Sequence, residues 1–295
     1  MSEYAGGTWA PVGLYAGTLG RVARRLARHD PILMIAALVL VLVVLGVVLA
    51  PLLAPYHPNQ IDLTATYQGP STMHLFGTDA LGRDIFSRVL YGGRAPLLGS
   101  ALIVLIATGS GVVLATTAVW LGGGIDSFLS RAFDIGFAFP GLLLAILAVG
   151  VFGTGLVAPV CALAVAYTPY IARTTRSVAL RERTKPYVEA CSVQGLSGLA
   201  ICLRHILPNV FPFVMVQATV SFGYAMIDLA SLSFLGLGVQ PPGSDWGLMV
   251  SEGQPAILAH HPEESLFAGL AIVLTVIAVV MVGERRGALL ASEAR

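Results

Sequence analysis

Charge is scarce in this sequence. Only 11% of the 295 residues are charged, whereas 56% are hydrophobic, and the mean hydropathy is +0.81. A soluble domain keeps about a quarter of its residues charged and hides its apolar residues in a core. The composition therefore excludes an ordinary soluble protein and predicts an integral membrane protein. The net charge of +1 also gives no polyanion-binding surface, so we expect no nucleic acid partner.

Lysine and cysteine are also rare. Lys185 is the only lysine, and it is preceded by Arg183-Thr184, so the sequence contains no Gly-Lys-Ser/Thr phosphate-binding loop. We therefore expect neither an ATPase site nor a bound cofactor in this chain. The three cysteines are an odd number and predict no disulfide framework. The six histidines lack metal-ligand spacing, and no nucleophile, base and acid cluster in the apolar runs, which argues against a metal site and an intramembrane hydrolase.

Long apolar runs dominate the rest of the chain. The first, 32–53, would form a helix of about 33 Å, enough to cross a bilayer and longer than the apolar core of a cleaved signal peptide. Six runs are expected to span the membrane: 32–53, 95–121, 135–152, 156–170, 210–235 and 266–282. The sequence thus predicts an all-α integral membrane protein with six transmembrane helices and both termini on one side.

The distribution of basic residues predicts which side that is. Of the 17 lysines and arginines, 14 lie in the two terminal tails, the 122–134 link and the 173–208 loop. By the positive-inside rule these segments are cytoplasmic. The expected organisation is a cytoplasmic tail at 1–31, a first transmembrane helix at 32–53, an extracytoplasmic connection at 54–95, a five-helix core at 96–282 that includes the 173–208 cytoplasmic loop, and a cytoplasmic tail at 283–295.

The segment 187–209 is a polar-faced insert between apolar runs. Pro186 suits the first turn of a helix, and Glu189 suits the positive end of its dipole. Gly195 predicts a turn, and Ser197 can cap a second short helix that ends before Pro208. We expect a rigid helix-turn-helix along the membrane face, with small exposed residues that another protein can bind.

This segment resembles a known sequence element. Glu189-Ala190-Cys191, followed by Gly195 and Leu207-Pro208, is similar to the EAA loop in permease subunits of bacterial ATP-binding-cassette importers, although Cys191 replaces the usual alanine. The resemblance implies a coupling helix that docks into a separate ATPase, and a merely structural amphipathic loop is the alternative. The implied coupling residues are Glu189, Ala190, Cys191, Gly195, His205, Leu207 and Pro208.

A second motif precedes the second apolar run. Residues 77–88 read GTDALGRDIFSR, which is similar to the signature of dipeptide, oligopeptide and nickel importer permeases. Thr78 can cap a short helix in which Asp79 with Arg83, and Asp84 with Arg88, form acid-before-base pairs four residues apart. Such pairs favour an exposed, solvated helix over a direct role in substrate binding.

Two further stretches resemble the same permeases. They are 139–144, FPGLLL, and 230–238, ASLSFLGLG, and they make Pro140, Ser231 and Ser233 candidates for the translocation path or gate. A kink at Pro140 that serves only helix packing is the alternative. Asp228 joins them as an intramembrane carboxylate, although the family pattern has its acid at the position of Leu229. Counted along the helix from the start of the 210–235 run, Asp228 lies about 27 Å away, near the outer interface, where it could also simply reach water.

Together these four stretches imply a permease subunit with the fold of type I importers, located in the bacterial cytoplasmic membrane. The implied partners are a second homologous permease, two ATP-binding subunits that carry ATP and Mg²⁺, an external solute-binding protein and lipid. Peptides are the expected cargo, with nickel chelates or haem as the alternative. A secondary transporter is the competing class, but the sequence shows no internal repeat.

Overall fold

The computed structural model describes residues 31–293, and it gives the side chains of residues 31–287. This part of the chain is helical, with no strand and one isolated bridge between Thr78 and Asp84. The prediction of an all-α protein is therefore confirmed. The basic N-terminal tail and Arg295 lie outside the described residues.

Thirteen α-helices follow one another in the described residues. They are α1 (Pro31–Val48), α2 (Ala50–Leu53), α3 (Ile85–Gly92), α4 (Arg94–Leu121), α5 (Gly123–Ala138), α6 (Gly141–Phe152), α7 (Val157–Arg183), α8 (Pro186–Val193), α9 (Gly198–Ile201), α10 (Leu207–Phe234), α11 (Trp246–Glu252), α12 (Gln254–Leu258) and α13 (Glu263–Glu293). A 3₁₀ turn at Leu63–Ala65 and a π-helical turn at Cys202–Ile206 complete the set.

Four stretches are long and apolar enough to cross a membrane. They are α1, α3 with α4, the stretch Gly198–Phe234 and the part of α13 up to Gly287. A fifth candidate is α5 with α6, although the two helices are bent by 78° at their junction. The remaining predicted span, 156–170, falls in α7, which has 27 residues but becomes polar from Tyr167 onward. Length and composition therefore support four or five of the six predicted spans.

Three segments predicted as connections or tails are helical instead. The 122–134 link lies almost wholly in α5, because Gly122 alone ends α4 with a φ of +62°. The basic stretch after Tyr170 continues α7 to Arg183, and the C-terminal tail continues α13 to Glu293. The polar residues of α5 and α7 are compatible with helices because they pair across the two, as in the 2.6 Å bond between Arg176 Nε and Asp126 Oδ1.

The centre of the bundle is a seam between α4 and α7. Fully buried alanines line both sides: Ala107, Ala115 and Ala118 on α4, and Ala164, Ala172 and Ala179 on α7. Small side chains let two helix backbones approach closely, which is the usual packing between helices in a membrane. The α10 helix adds Leu229 and Leu232 to the apolar cluster that surrounds this seam.

An irregular layer covers the end of the bundle where α3 and α13 begin. It consists of residues 54–84 and 236–262. Trp246 anchors the layer: it is 1% exposed, and its indole N–H donates to the carbonyl of Val89 at 2.7 Å. Phe76 stacks on Phe267 of α13 with ring centroids 3.9 Å apart. The layer is thus fixed to the helices and positions the charged motif described below.

Candidate functional site

The predicted coupling element is an elbow at the far end of α7, formed by residues 186–206. Its first arm, α8, begins at Pro186 as expected. Gly195 has a φ of +79°, a conformation that favours glycine, and so makes the predicted turn. The N–H of Leu196 donates to the carbonyl of Cys191 and that of Gly195 to Ser192, a pattern that terminates helices firmly.

The second arm differs from the prediction at its end. Ser197 caps α9 by accepting from the N–H of Ala200, as expected. Pro208, however, does not end this helix, which runs on through the π-helical turn into α10. The N–H of Leu207 donates to Cys202 five residues back, and this local widening accommodates a proline that lacks an N–H of its own. The elbow is therefore continuous with a long helix of the bundle.

Glu182 ties the elbow to the end of α7. Its Oε1 accepts from the Tyr187 hydroxyl at 2.9 Å and from Asn209 Nδ2 at 3.1 Å, while Lys185 Nζ lies 2.7 Å from Oε2. Burial and the neighbouring Glu182 carboxylate raise the pKa of Tyr187, so the phenol stays protonated and donates. One carboxylate thus holds α7, α8 and the start of α10 together.

Apolar packing supports the same junction. A buried cluster unites residues of α4, α7, both arms of the elbow and α10: Val119, Ala179, Val188, Ile201, Ile206, Val210 and Val214. Arg183 donates from Nη1 to the carbonyl of Val119 and lies 5.5 Å from the Trp120 ring. The elbow is thus packed as part of the bundle core, and it does not hang from the bundle as a loop.

The outer surface of the elbow is exposed and partly apolar. Glu189, Ala190 and Gly195 are exposed, and Cys191 is half-buried. Of the three remaining predicted coupling residues, Pro208 is exposed, whereas His205 and Leu207 are half-buried at the base of the second arm. Four exposed apolar side chains, which the sequence motif did not single out, cover the turn and the second arm: Val193, Leu196, Leu199 and Leu203. An apolar surface at a charged end of a bundle is typical of a protein interface.

The gate candidates lie in two places. Pro140 precedes α6 at the 78° bend, so the predicted kink is present. Asp228 of α10 accepts a 2.9 Å hydrogen bond from the hydroxyl of Tyr167 on α7. Ser231 donates to its own helix, to the carbonyl of Ile227 at 2.8 Å, and Ser233 is 4% exposed. Phe139 and Gly141 at the bend line one cavity together with Asp228, whereas Ser231 and Ser233 do not line it.

The motif at 77–88 forms a buried ion network, so the expectation of an exposed, solvated helix is wrong. Its four charged residues are each no more than 5% exposed: Asp79, Arg83, Asp84 and Arg88. The pair of Asp79 with Arg83 is present, with 2.5 Å between Oδ2 and Nε, but it lies in a loop. Asp84 does not pair with Arg88 as predicted; it caps α3 by accepting from the N–H of Ser87.

Distant carboxylates complete the network. Arg83 Nη2 and Arg88 Nη2 lie 3.1 Å and 2.7 Å from the same Glu252 oxygen at the end of α11. Arg88 Nε lies 3.8 Å from Glu264 in the first turn of α13. Glu252 is 164 residues from Arg88, which is why spacing within the motif could not reveal this partner. A buried arginine needs a carboxylate partner. This requirement is the only signal in the sequence that could have pointed to Glu252 and Glu264.

Thr78 also has a different role from the predicted helix cap. Its hydroxyl donates to the carbonyl of Ala65 and accepts from the N–H of Gln68 at 2.8 Å. It thereby holds residues 65–68 against the loop that carries Asp79. Among the described residues, no three His, Cys, Asp or Glu side chains group as metal ligands.

Two models of known protein families match this chain. The model of the binding-protein-dependent transport system inner membrane component matches residues 107–292, and that of the N-terminal TM domain of oligopeptide transport permease C matches residues 18–70. The first match alone covers more than half of the chain. It includes the elbow, the bend and Asp228.

Curated relatives agree with the family models. The glutathione transport system permease protein GsiD of Escherichia coli O6:K15:H31 (strain 536 / UPEC) is 39% identical over 258 residues, which cover 87% of this chain and 85% of that protein. The protein of the same name from Shigella boydii serotype 4 (strain Sb227) gives the same values.

Solved structures show the same fold. A chain of the MetNI methionine ABC transporter in an inward-facing conformation superposes with a TM-score of 0.57, covering 68% of this chain and 95% of that chain. At 18% identity the likeness concerns the fold alone. The chain therefore belongs to the binding-protein-dependent transport system inner membrane components and is a permease subunit of the ATP-binding-cassette importers.

Proposed function

We propose that this permease moves peptides across the bacterial cytoplasmic membrane. The observation that carries the proposal is the 39% identity, along 87% of the chain, to permeases named for glutathione, which is itself a small peptide. The match of residues 18–70 to the N-terminal domain of an oligopeptide permease supports it. Nickel chelates and haem, the alternatives left open by the sequence, have no comparable support.

Six transmembrane spans account best for the chain. We assign α1, α4, the bent pair α5 and α6, α7, α10 and α13 as these spans. The extracytoplasmic connection corresponds to 54–95, the five-helix core to 96–282 and the cytoplasmic tails to 1–31 and 283–295. The basic residues in the second half of α7, among them Arg176 and Arg183, lie toward the elbow, and the positive-inside rule then puts the elbow and both termini in the cytoplasm.

The elbow is the coupling site for a separate ATPase. Its exposed surface offers small residues at Ala190 and Cys191 beside the apolar side chains of Val193 and Leu199, a combination that suits a groove in a partner protein. ATP and Mg²⁺ are bound by two such ATPase subunits, and this chain carries neither. A second homologous permease and an extracytoplasmic solute-binding protein complete the transporter.

Coupling is mechanical in this proposal. The bonds of Glu182 with Tyr187 and Asn209 join the elbow to two helices of the bundle. When the ATPases close on ATP, a displacement of the elbow therefore moves α7 and α10 with it. The bundle thereby alternates between inward-open and outward-open states.

Two substitutions in the elbow test the coupling. Glu189→Lys reverses a charge on the docking surface, and Gly195→Pro imposes a negative φ where the turn has +79°. In the reconstituted transporter, both variants should insert normally but lose peptide uptake at least about tenfold, with ATP hydrolysis no longer stimulated by substrate. Glu263→Lys, at the opposite end of the bundle, is the matched control.

Normal substrate-stimulated ATP hydrolysis in both elbow variants would contradict the coupling role. A second outcome would exclude the ATP-driven class altogether. If the chain alone, reconstituted without ATPase subunits, moved peptides on an ion gradient, it would be a secondary transporter.

A further inference from the structure

A small cavity lies where the bend between α5 and α6 meets α7 and α10. It has a volume of about 210 Å³. Its lining combines four aromatic rings with one carboxylate and three small residues: Phe137, Phe139, Tyr167, Tyr170, Asp228, Gly136, Gly141 and Ala166. Of these residues only Asp228 bears a carboxyl group and none is basic, and the other polar side-chain groups of the lining are the hydroxyls of Tyr167 and Tyr170.

Asp228 has one oxygen engaged and one available. Oδ2 accepts the 2.9 Å hydrogen bond from the Tyr167 hydroxyl, which orients the carboxylate. Among the described residues 31–287, this is the only hydrogen bond that the Asp228 side chain makes. The side chain is half-buried and faces the cavity. A carboxylate held in this way can bind a cationic group through its second oxygen.

The site lies below the rim of the bundle. Tyr167 is ten residues into α7, about 15 Å from its first turn, and the bend is twelve residues from the other end of α6, about 18 Å. The α6–α7 hairpin therefore extends well past Asp228. Along α10 itself, Asp228 lies six residues from the end of the helix at Phe234, a shorter distance than that to the end of the hairpin.

The mouth of the cavity opens on the surface of the subunit. Phe137 and Phe139 stand at this opening and are 46% and 65% exposed. A carboxylate facing lipid is unfavourable, so such groups in membrane proteins face protein or a water-filled path. The opening therefore belongs to the side of the bundle that meets the translocation path.

The chemistry of the lining selects an ammonium group. A carboxylate attracts a cation directly, and aromatic faces add to the attraction. Arg173, which lies over the ring of Phe137, pairs with Asp134 at 2.9 Å and forms no ion pair with Asp228. At about 210 Å³ the cavity is smaller than a site for a whole drug-sized ligand, and it suits one end of a longer molecule.

We propose that Asp228, oriented by Tyr167 and surrounded by aromatic rings, receives the free amino group of the transported peptide. The inference rests on the proposed function, since it names the part of a peptide that this permease recognises. Peptides with a blocked amino group lack the cation and gain nothing from the site.

Protection from carbodiimide modification tests the site without requiring uptake. The purified transporter is treated with dicyclohexylcarbodiimide, and the adduct at Asp228 is quantified by mass spectrometry. Alaninamide, which carries an ammonium group, should slow modification of Asp228 at least about threefold, whereas N-acetylalaninamide should not. Exposed Asp134 is the internal control and should react equally with either amide present.

Three results would overturn the inference: equal protection by both amides, protection of Asp134 to the same degree, or an Asp228 that does not react. In the last case the carboxylate is closed to ligands.

Uptake then separates this inference from the proposed function. Asp228→Asn, which can still accept from Tyr167, should lower the rate of alanylalanine uptake about tenfold in the reconstituted transporter, and Tyr167→Phe should lower it less. Glu284→Gln, an exposed substitution elsewhere, should leave it unchanged. If Asp228→Asn transports within twofold of wild type, the amino-group site is refuted; if wild type transports no peptide, the proposed function fails instead.

Discussion

Gly198 lies directly against the Trp120 indole. A Cβ atom built on Gly198 would fall 1.1 Å from Cζ2 of that ring, so no larger residue fits while the ring stays in place. Trp120 belongs to the last turn of α4, and Gly198 opens the second arm of the elbow. The contact therefore determines how closely the elbow packs on the bundle.

Gly198→Ala should loosen this junction. Overpacking of a filled site typically costs about 1–3 kcal/mol of stability. We expect a lower unfolding temperature for the purified permease and weaker stimulation of ATP hydrolysis by substrate. Adding Trp120→Leu to the same chain removes the obstructing ring atoms. The double variant should recover part of the unfolding temperature and part of the stimulation of ATP hydrolysis, so its loss should be smaller than the sum of the losses in the two single variants. Strict additivity of the two effects would contradict the contact.

Local signals in the sequence predicted the elbow well. The turn at Gly195 and the cap at Ser197 depend on residues within three positions of one another, so the sequence contains all the information they need. The end at Pro208 was predicted wrongly. A proline usually stops a helix, but here the π-helical turn at Cys202–Ile206 relieves the constraint, and such turns have no clear sequence signature.

Side-chain partners that are far apart in the chain could not be predicted from the sequence. The sequence spacing predicts that Arg88 forms an exposed pair with Asp84, whereas its partner Glu252 comes from another helix. The same holds for Tyr167 and Asp228, which lie 61 residues apart and meet only because α7 packs on α10. The tertiary packing of apolar helices decides both, and helices that are apolar all round give no periodic signal for which faces meet.

Arg88 in the buried ion network should be far more important for stability than an exposed arginine. Its guanidinium is 0% exposed and lies between the carboxylates of Glu252 and Glu264. Arg88→Met removes the arginine beside Glu264 and leaves Glu252 with Arg83 alone. Breaking a buried pair in this way typically costs about 3–5 kcal/mol. We expect a large drop in unfolding temperature and in the amount of protein that inserts correctly.

The matched control for this prediction is Arg173→Met. Arg173 and its partner Asp134 are 60% and 61% exposed, and exposed ion pairs contribute about 0–1 kcal/mol. If both variants unfolded at the same temperature, the buried network would have no special role in holding the 54–84 connection on α11 and α13.

Glu182→Ala should release the elbow from α7. The substitution leaves the Tyr187 hydroxyl and the Asn209 amide without their shared acceptor, and each lost bond contributes about 1 kcal/mol. Hydrogen exchange of the backbone amides in α8 should become about tenfold faster, because local opening is easier. Lys185→Ala removes only an exposed partner of the same carboxylate and should change exchange little; similar exchange in the two variants would argue against Glu182 as the tie.

The exposed apolar side chains of the elbow should matter for assembly. Val193 is 84% exposed, and Leu258, in the irregular layer at the opposite end, is 87% exposed. Val193→Asp should abolish co-purification of the ATPase subunits, because it buries a charge in the interface, whereas Leu258→Asp should leave co-purification intact. Loss of the ATPases in both variants, or in neither, would contradict docking at the elbow.

The native cysteines can report which side of the membrane the elbow faces. Cys191 is half-buried on the elbow, Cys202 is buried beneath it, and Cys161 lies within the apolar part of α7. A membrane-impermeant maleimide reacts with an accessible thiol outside the lipid. It should therefore label Cys191 in inside-out vesicles that lack the ATPase subunits, and in right-side-out vesicles it should label none of the three.

Adding the ATPase subunits extends this labelling experiment to the coupling surface. If they dock on the elbow, they cover Cys191, and labelling should fall at least about fivefold with a tenfold excess over the dissociation constant. Cys191→Ser removes the signal and identifies its source. Labelling of Cys191 from the outside would place the elbow on the wrong side of the membrane for any cytoplasmic ATPase, and unchanged labelling in the assembled complex would show that the ATPases bind elsewhere.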